Sequence, residues 1–430
     1  MSTAALQSSK RSLVKLRTFT LHIDCAYASN DASIRSSPKQ SSSSVTYVGD
    51  NLPINMGLNE VKSLRLTDMR RGGGGRSSFS GIVATVFGAQ GFVGGATVNR
   101  LAKEGSQIIV PYRGDVYGLR ELRVLGDLGQ ILFTPFHGKD EASIRRALEH
   151  SNVVINLIGR QSETRNFSYD DVHVKMSRTI ARLSRECGVQ RLIHFSALNA
   201  SPNPPAIIFR KPSKFLTSKY AGELAVREEF PDATIFRPSA IFGNQYSDGF
   251  IAYHFSRWVR PLSYLRVPLY ASGEKTVKAP VYVTDVSNAV YAAVREPMSV
   301  GQTYEIYGPE RYQLRELIEY CLRYMRRKSI ITPLTPDVFA KAIANYTFHK
   351  SLYNVDRMQC AYVSDTYTPG LPTIRDLGIE PTKFSDAIGN IMASMRKSGR
   401  YVENPEDFII PDPPKPVSQE FELSYNVSYP

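Results

Sequence analysis

Two observations predict an α/β protein whose main domain is a doubly wound parallel sheet. Short apolar strands alternate with amphipathic helices from residue 82 to residue 236, which is the pattern of a parallel sheet covered by helices on both faces. The first strand also breaks into glycines at positions 88, 91 and 94 before a helical pattern begins. We therefore expect this domain over residues 79–245 and a smaller lobe over residues 246–400, with strands and helices that return to the main domain. These lie between arms at 1–78 and 401–430.

The segment IVATVFGAQGFVG, residues 82–94, predicts a dinucleotide-binding turn. Such a turn uses Gly88 for a tight bend, Gly91 for close approach to a pyrophosphate and Gly94 for packing the next helix on the sheet. The N-terminus of that helix then faces the phosphate charge. An ordinary loop of an α/β domain is the alternative that the glycines alone leave open. The other predicted contacts within the turn are Gln90, Phe92 and Val93.

The second strand carries information about which nucleotide binds. It is predicted over residues 107–110, where a protein that binds the unphosphorylated cofactor places an acidic residue on the ribose about twenty residues after the first glycine. This chain instead reads Pro111, Tyr112, Arg113. A guanidinium can bind a 2′-phosphate with two hydrogen bonds, so the sequence favours NADP(H). A solvated arginine is the alternative, and Asp115 is close in sequence.

The remaining elements continue the alternation. Further strands are predicted at residues 130–134, 153–158, 192–195 and 234–236, with helices at 142–149, 177–187 and 220–229. Apolar strands such as 153–158 are typical of buried parallel sheets. Beyond residue 245 the sequence is rich in proline and aromatic residues, with a strand predicted at 280–283 and helices at 285–295 and 313–326. These later elements predict a smaller lobe that closes over the cofactor.

Composition excludes several classes of protein. The net charge is +13, and residues 1–80 hold eleven Lys or Arg against five Asp or Glu. Because no basic run is interleaved with aromatic residues, nucleic acid is not an expected partner. The four cysteines and seven histidines lack the spacing of a disulfide framework or a metal site, so we expect neither.

The two ends of the chain predict targeting and docking. The first 23 residues contain four basic residues, several Ser and Thr, and no acid before Asp24, which is the composition of a mitochondrial presequence. The proline-rich tail at 401–430 predicts an interacting segment anchored by apolar residues 408–410. Basic residues at 257, 260 and 266, mixed with apolar ones, fit a membrane interface, an acidic neighbour or a solvated helix face, and the last is our expectation. No apolar run is long enough to cross a bilayer.

Several strings resemble the extended and atypical short-chain dehydrogenase/reductases. They are GAQGFVG, VINLIG at 154–159, HFSALNA at 194–200, RPSAIFG at 237–243 and VYVTDVSNAV at 281–290. Longer strings, including GSQIIVPYRGD, GDLGQILF and HSNVVINLIGR, are similar to the nucleotide-binding accessory subunits of mitochondrial respiratory complex I. The resemblance, over residues 75–400, implies a Rossmann-type fold, tightly held NADPH, contacts with other complex I subunits and a peripheral place on the matrix side of the inner membrane. It also implies no part in electron transfer.

The resemblance also identifies a departure in the catalytic motif. These reductases use a Tyr for proton transfer, a Lys four residues later that lowers its pKa and binds the nicotinamide ribose, and an upstream Ser that orients the substrate. Here Lys219 and Ser196 match, but the tyrosine position is Phe215. Tyr220 is an unsuitable substitute, because it lies about 100° around the helix from Lys219. We expect nucleotide binding without catalysis.

Other predicted contacts come from strand ends that match the family. The residues are Leu157, Ile158 and Gly159 beside the adenosine, and Pro238, Ser239 and Ile241 near the nicotinamide. Related proteins also place an Asp on the adenine after the third strand, where this chain has Phe136, His137 and Gly138. Three hypotheses follow: a structural NADPH-binding subunit, a free matrix NADP-dependent reductase or epimerase, and a nucleotide-redox-sensing binding module.

Overall fold

The structure is a computed structural model. It describes residues 70–208, 211–243, 249–255, 266–326, 330–334, 355–393 and 410–417. The N-terminal segment predicted to target the chain, the basic residues 257 and 260, and residues 408 and 409 of the tail lie outside these ranges. Ile410 is described, and its side chain is exposed.

A seven-stranded sheet forms the centre of the main domain. Its strands are β1 (Val83–Phe87), β2 (Gln107–Tyr112), β3 (Ile131–Pro135), β4 (Val153–Asn156), β5 (Arg191–Phe195), β6 (Thr234–Pro238) and a later strand, β11 (Thr303–Ile306). The spatial order is β3-β2-β1-β4-β5-β6-β11, and every neighbouring pair is parallel. The predicted doubly wound sheet is thus confirmed, and the strand order reverses between β1 and β4.

Helices cover both faces of this sheet. They are α1 (Phe92–Lys103), the single turn α2 (Arg120–Arg123), α3 (Glu141–Leu148), α4 (Met176–Glu186), α5 (Lys214–Glu229) and, further along the chain, α7 (Val283–Arg295). Apolar side chains of α1 and α7 pack on one face, whereas those of α3, α4 and α5 pack on the other. Each helix buries an apolar stripe against the strands, which is how the alternating pattern becomes a three-layer core.

A second apolar cluster lies in the C-terminal part of the chain. Its elements are β7 (Ile241–Phe242), α6 (Phe250–Phe255), β8 (Arg266–Leu269), β9 (Val277–Lys278), β10 (Val281–Tyr282), β12 (Tyr312–Gln313), α8 (Leu314–Tyr324), β13 (Ile330–Pro333), α9 (Val355–Tyr362) and α10 (Phe384–Ala393). The strands form three two-stranded sheets: β7 with β10, β8 with β13, and β9 with β12. Phe384 packs in this cluster against Phe242, Phe250, Tyr312 and Tyr320.

The strand β11 is an element that the sequence pattern did not predict. It reads TYEI, so polar residues alternate with apolar ones although all four side chains are buried. Glu305 tolerates burial because its carboxylate accepts hydrogen bonds from the backbone N–H of Thr368. The chain therefore returns from the C-terminal elements to complete the main sheet.

Membrane-spanning helices and metal-binding clusters were searched for in the described part of the chain. Among the residues the structure describes, no helix is long and apolar enough to cross a membrane. Within the same ranges, no group of three or more His, Cys, Asp or Glu side chains could hold a metal ion.

Candidate nucleotide-binding site

The glycine turn between β1 and α1 has the geometry that its sequence predicts. Gly88 has a φ of +80°, and a Cβ there would lie 3.0 Å from the carbonyl carbon of Leu157. At Gly94 an added Cβ would lie 2.6 Å from the Cα of Ala89, which is backbone and has little freedom to move. Gly91 donates its N–H to the carbonyl of Gly88 and is the N-cap of α1. The three glycines thus serve the turn, its closure and the close contact of helix with strand.

The N-terminus of α1 is available to an anion. Gly91 gives it no side-chain cap, and its first turn contains no acidic residue. The first N–H groups of a helix lack partners within the helix, and the helix dipole places positive potential there. A pyrophosphate is the kind of group that such a turn binds.

A cavity of about 720 Å³ opens at the carboxyl ends of the strands, where the order of the sheet reverses. Twelve of the predicted site residues line it: Gly88, Gly91, Phe92, Val93, Gly94, Leu157, Gly159, Ser196, Lys219, Pro238, Ser239 and Ile241. Three others, Gln90, Arg113 and Ile158, are outside its lining. This crevice is where open α/β sheets bind their ligands.

Lys219 and Ser196 bring buried polar atoms to the cavity wall. The ammonium group of Lys219 donates to the carbonyl of Phe195 at 2.9 Å and lies beside Gly159. Burial lowers the pKa of Lys219 to about 8, against an opposing effect of Glu223. The hydroxyl of Ser196 is buried and has no hydrogen-bond partner among the residues that the structure describes. A buried hydroxyl without a partner costs free energy, which a bound ligand that accepts or donates a hydrogen bond would recover.

Two buried histidines behind the cavity were missed by the sequence analysis. The Nε2 atom of His173 accepts the backbone N–H of Arg160 at 3.1 Å, and its Nδ1 atom is hydrogen-bonded to Ser218. Burial and the nearby Lys219 lower the pKa of His173 well below its usual range, and they lower that of His194 to about 3. Both rings are therefore neutral at physiological pH. His173 connects the loop after β4 to α5, which no spacing in the sequence indicates.

Phe215, which occupies the position of the family's catalytic tyrosine, lies at the cavity wall. Its ring packs edge-to-face on His173, with centroids 5.3 Å apart. The backbone N–H groups of Lys214 and Phe215 both donate to the carboxylate of Asp356, on α9. The ring is thus held firmly but offers no proton. Tyr220 is outside the cavity lining.

Side chains from the C-terminal elements complete the cavity, and sequence reasoning named none of them as site residues. Lys278 forms a buried ion pair of 3.1 Å with Asp365. Tyr253 and His254 of α6 and Cys360 of α9 line the same wall. Burial raises the pKa of the Cys360 thiol to about 12, so it is protonated at neutral pH. None of these residues lies within one of the strings quoted above, and only the folded chain brings Cys360 and Asp365, 70 or more positions beyond residue 290, to the strand ends.

The two charged residues after β2 have different surroundings in the structure. The carboxylate of Asp115 accepts the backbone N–H of Tyr117 and so caps a short 3₁₀-helix. Arg113 is exposed, and its guanidinium lies 5.5 Å from the ring centroid of Phe167. The Asp115 carboxylate is therefore engaged as a helix cap, whereas the Arg113 guanidinium is exposed beside the Phe167 ring.

Comparison with known proteins agrees with this fold. The model of the NAD dependent epimerase/dehydratase family matches residues 84–307, so the chain belongs to that class. It is 47% identical over 317 residues to NADH dehydrogenase [ubiquinone] 1 alpha subcomplex subunit 9, mitochondrial, of Mus musculus, covering 72% of this chain and 80% of that protein. The Arabidopsis thaliana protein of the same name is 37% identical, covering 77% and 82%. The chain is a member of this subunit 9 family.

Solved structures support the fold alone. UDP-glucose 4-epimerase of Thermotoga maritima aligns with a TM-score of 0.52 and 19% identity, covering 72% of this chain and 97% of that one. The dTDP-glucose 4,6-dehydratase of Streptomyces venezuelae gives 0.53 and 17%, covering 72% and 96%.

Proposed function

We propose that this protein is an NADPH-binding accessory subunit of mitochondrial respiratory complex I, bound peripherally on the matrix side of the inner membrane. The observation that carries the assignment is the 47% identity, over 317 residues, to a mitochondrial NADH dehydrogenase subunit. In this assignment residues 79–245 bind the nucleotide and residues 246–400 close the cavity. The arms 1–78 and 401–430 target the chain and dock it on neighbouring subunits. Its role is to support the assembly and stability of the complex.

The residues present fit a dinucleotide. The turn Gly88–Gly94 and the uncapped N-terminus of α1 suit the pyrophosphate, and the partnerless hydroxyl of Ser196 suits the nicotinamide end. Lys219 would bind the nicotinamide ribose. Gln90 and Ile158 are outside the cavity lining. Gln90 lies within the turn, where the phosphates would bind, and Ile158 lies just after the end of β4, where the adenosine would bind.

A non-catalytic role follows from the chemistry of the cavity wall. NADPH supplies a hydride, but reduction of a carbonyl also requires a proton at the substrate oxygen. Phe215 has none to give. We propose that the site retains the binding elements, Ser196 and Lys219, and lacks the proton donor.

The first test is to locate the endogenous chain after mild solubilisation of mitochondria. We expect it to comigrate with the megadalton NADH dehydrogenase in native size separation and to be identified there by mass spectrometry in constant ratio to the core subunits. Depletion of the chain should lower the amount of intact complex. A chain found only at monomer or dimer size would contradict the proposal.

A free matrix reductase or epimerase is the second candidate, and one observation favours it. Tyr253 lines the cavity that also contains Ser196 and Lys219, so a phenol from α6 stands on the wall where Phe215 lacks one. NADPH oxidation by the purified chain would be measured against quinones, aldehydes and nucleotide sugars. Turnover that Tyr253→Phe and Lys219→Ala abolish would establish this candidate, and its absence would exclude it for those substrates. A redox-sensing module would require different partner affinities with NADPH and NADP⁺.

Arg113 is expected to set the preference for NADPH over NADH. Arg113→Ala removes a guanidinium that can make two charge-assisted hydrogen bonds to a 2′-phosphate, so NADPH affinity should fall roughly 10- to 100-fold while NADH affinity changes little. Calorimetric titration with both nucleotides measures this. Asp115→Asn is the matched control, because its side chain can still cap the 3₁₀-helix. Equal losses for both nucleotides in Arg113→Ala would show that the residue does not bind the 2′-phosphate.

A further inference from the structure

A second cation lies beside Arg113 at the open end of the strands. Lys139 follows β3, the immediate neighbour of β2 in the sheet. Its ammonium group is 4.9 Å from the ring centroid of Phe167, the same ring that the Arg113 guanidinium approaches at 5.5 Å. It also donates to the carbonyl of Asn166 at 3.2 Å. The half-buried ring of Phe167 thus contacts two cations, each from the loop that follows one of two neighbouring strands.

Neither cation is neutralised by the protein around it. Among the described residues, no carboxylate forms an ion pair with Arg113 or Lys139. The acidic residues nearest in sequence are committed elsewhere: Asp115 caps its 3₁₀-helix, and Asp140 caps α3 through the N–H of Ala142. In the part of the chain that the structure describes, the two like charges share one aromatic ring and have one backbone carbonyl as a further partner. A bound dianion would stabilise this arrangement.

The position of the pair identifies the anion. The pyrophosphate belongs at the turn after β1, and the sheet order continues outward to β2 and then β3. A group bound after β2 and β3 is consequently on the adenosine side of the pyrophosphate, away from β4, β5 and the nicotinamide. The anionic group of NADPH on that side is the 2′-phosphate, which NADH lacks. A phosphate monoester carries about −1.5 to −2 charges at pH 7, enough for two cations.

We propose that Lys139 is a second specificity-determining residue for NADPH, which binds the 2′-phosphate together with Arg113, and that Phe167 positions both side chains. This inference rests on the proposed NADPH site. It explains how the chain manages without an acidic adenine contact after β3. The positions where relatives place that Asp hold Phe136, His137 and Gly138, and the next residue in the loop, Lys139, instead contributes a cation.

The test is calorimetric titration of the full chain with NADPH and with NADH, for the wild type, Lys139→Ala and Lys103→Ala. Lys103 is an exposed lysine in the last turn of α1, just before β2 begins at Gln107, so it lies at the amino ends of the strands. Its variant therefore matches the loss of net charge at a position away from the proposed phosphate site. We expect Lys139→Ala to weaken NADPH binding about 10-fold, the loss of one exposed charge-assisted contact, and to change NADH binding less than about twofold. Lys103→Ala should leave both nucleotides unaffected.

The outcomes separate the two proposals. A wild type that binds neither nucleotide would overturn the proposed NADPH site itself. A wild type that prefers NADPH, combined with a Lys139→Ala variant that loses neither affinity nor preference, would overturn only the role of Lys139. If Lys139→Ala weakened NADPH and NADH equally, the residue would support the loop and would not read the phosphate. Lys139→Arg should retain the preference for NADPH and thereby confirm that charge is what the site uses.

Discussion

Replacing Gly94 with alanine is expected to abolish nucleotide binding and to destabilise the fold. The new methyl group would lie 2.6 Å from the Cα of Ala89 and closer still to the carbonyl oxygen of Gly88, both backbone atoms of the turn. The overlap can be relieved only by moving α1 away from β1, which displaces the N–H groups that face the pyrophosphate. We expect a loss of about 3 kcal/mol in the free energy of unfolding, since the clash is with backbone, and NADPH affinity lowered more than about 100-fold.

Chemical denaturation and calorimetric titration with NADPH measure the two effects separately. Gly73→Ala is the control, because a Cβ at that exposed glycine meets no atom within 4 Å and its φ is not positive. Gly91→Ala gives an intermediate case, with its nearest contact at 3.2 Å from the carbonyl oxygen of Gly88. If Gly94→Ala bound NADPH as tightly as Gly73→Ala, the turn would not be the pyrophosphate site.

Local sequence patterns predicted strands β1 to β6 because these strands and the helices between them follow one another along the chain. Strands β1 to β6 all arose from short apolar runs, and their observed bounds differ from the expected ones by a residue or two in most cases. Helix α5 was the larger error: it was expected from residue 220 and begins at Lys214. Ser213 caps that helix, and Asp356 accepts two of its first N–H groups. This second support comes from α9, about 140 residues away, and no local pattern contains it.

The cavity likewise combines residues that short motifs predict with residues that only the folded chain brings together. Its nucleotide half derives from the glycine turn and from strand ends, which short motifs describe well. Its other wall consists of Tyr253, Lys278, Cys360 and Asp365, which meet only because the chain returns from the C-terminal elements. Sequence patterns also do not predict the ion pair between β6 and α5, in which Arg237 donates two hydrogen bonds to the carboxylate of Glu223. In the sequence, Arg237 is only the first residue of a family motif.

Lys219 is expected to make the stability of the nucleotide-free protein rise with pH. Its folded-state pKa is lowered to about 8 from the ordinary 10.5, chiefly because burial disfavours the charged form. Below pH 8 the residue is charged in both the folded and unfolded chains, and the burial cost is present in full. Between about pH 8 and 10.5 the unfolded chain retains a proton that the folded chain has released, so the free energy of unfolding increases.

The cost is about 3 kcal/mol at neutral pH, since each pKa unit corresponds to about 1.4 kcal/mol. Lys219→Met should therefore have a higher free energy of unfolding than the wild type at pH 7. The gain is reduced by the loss of the hydrogen bond to the carbonyl of Phe195. The difference between the two proteins should shrink as pH rises past 8. Urea unfolding at several pH values between 7 and 9.5, without nucleotide, measures the difference. Lys219→Arg stays charged throughout and should keep the cost at every pH. Parallel curves for wild type and Lys219→Met would mean that Lys219 does not titrate in this range. In the proposed complex the nicotinamide ribose would bind this ammonium group, so a bound nucleotide should recover part of the burial cost and raise the free energy of unfolding.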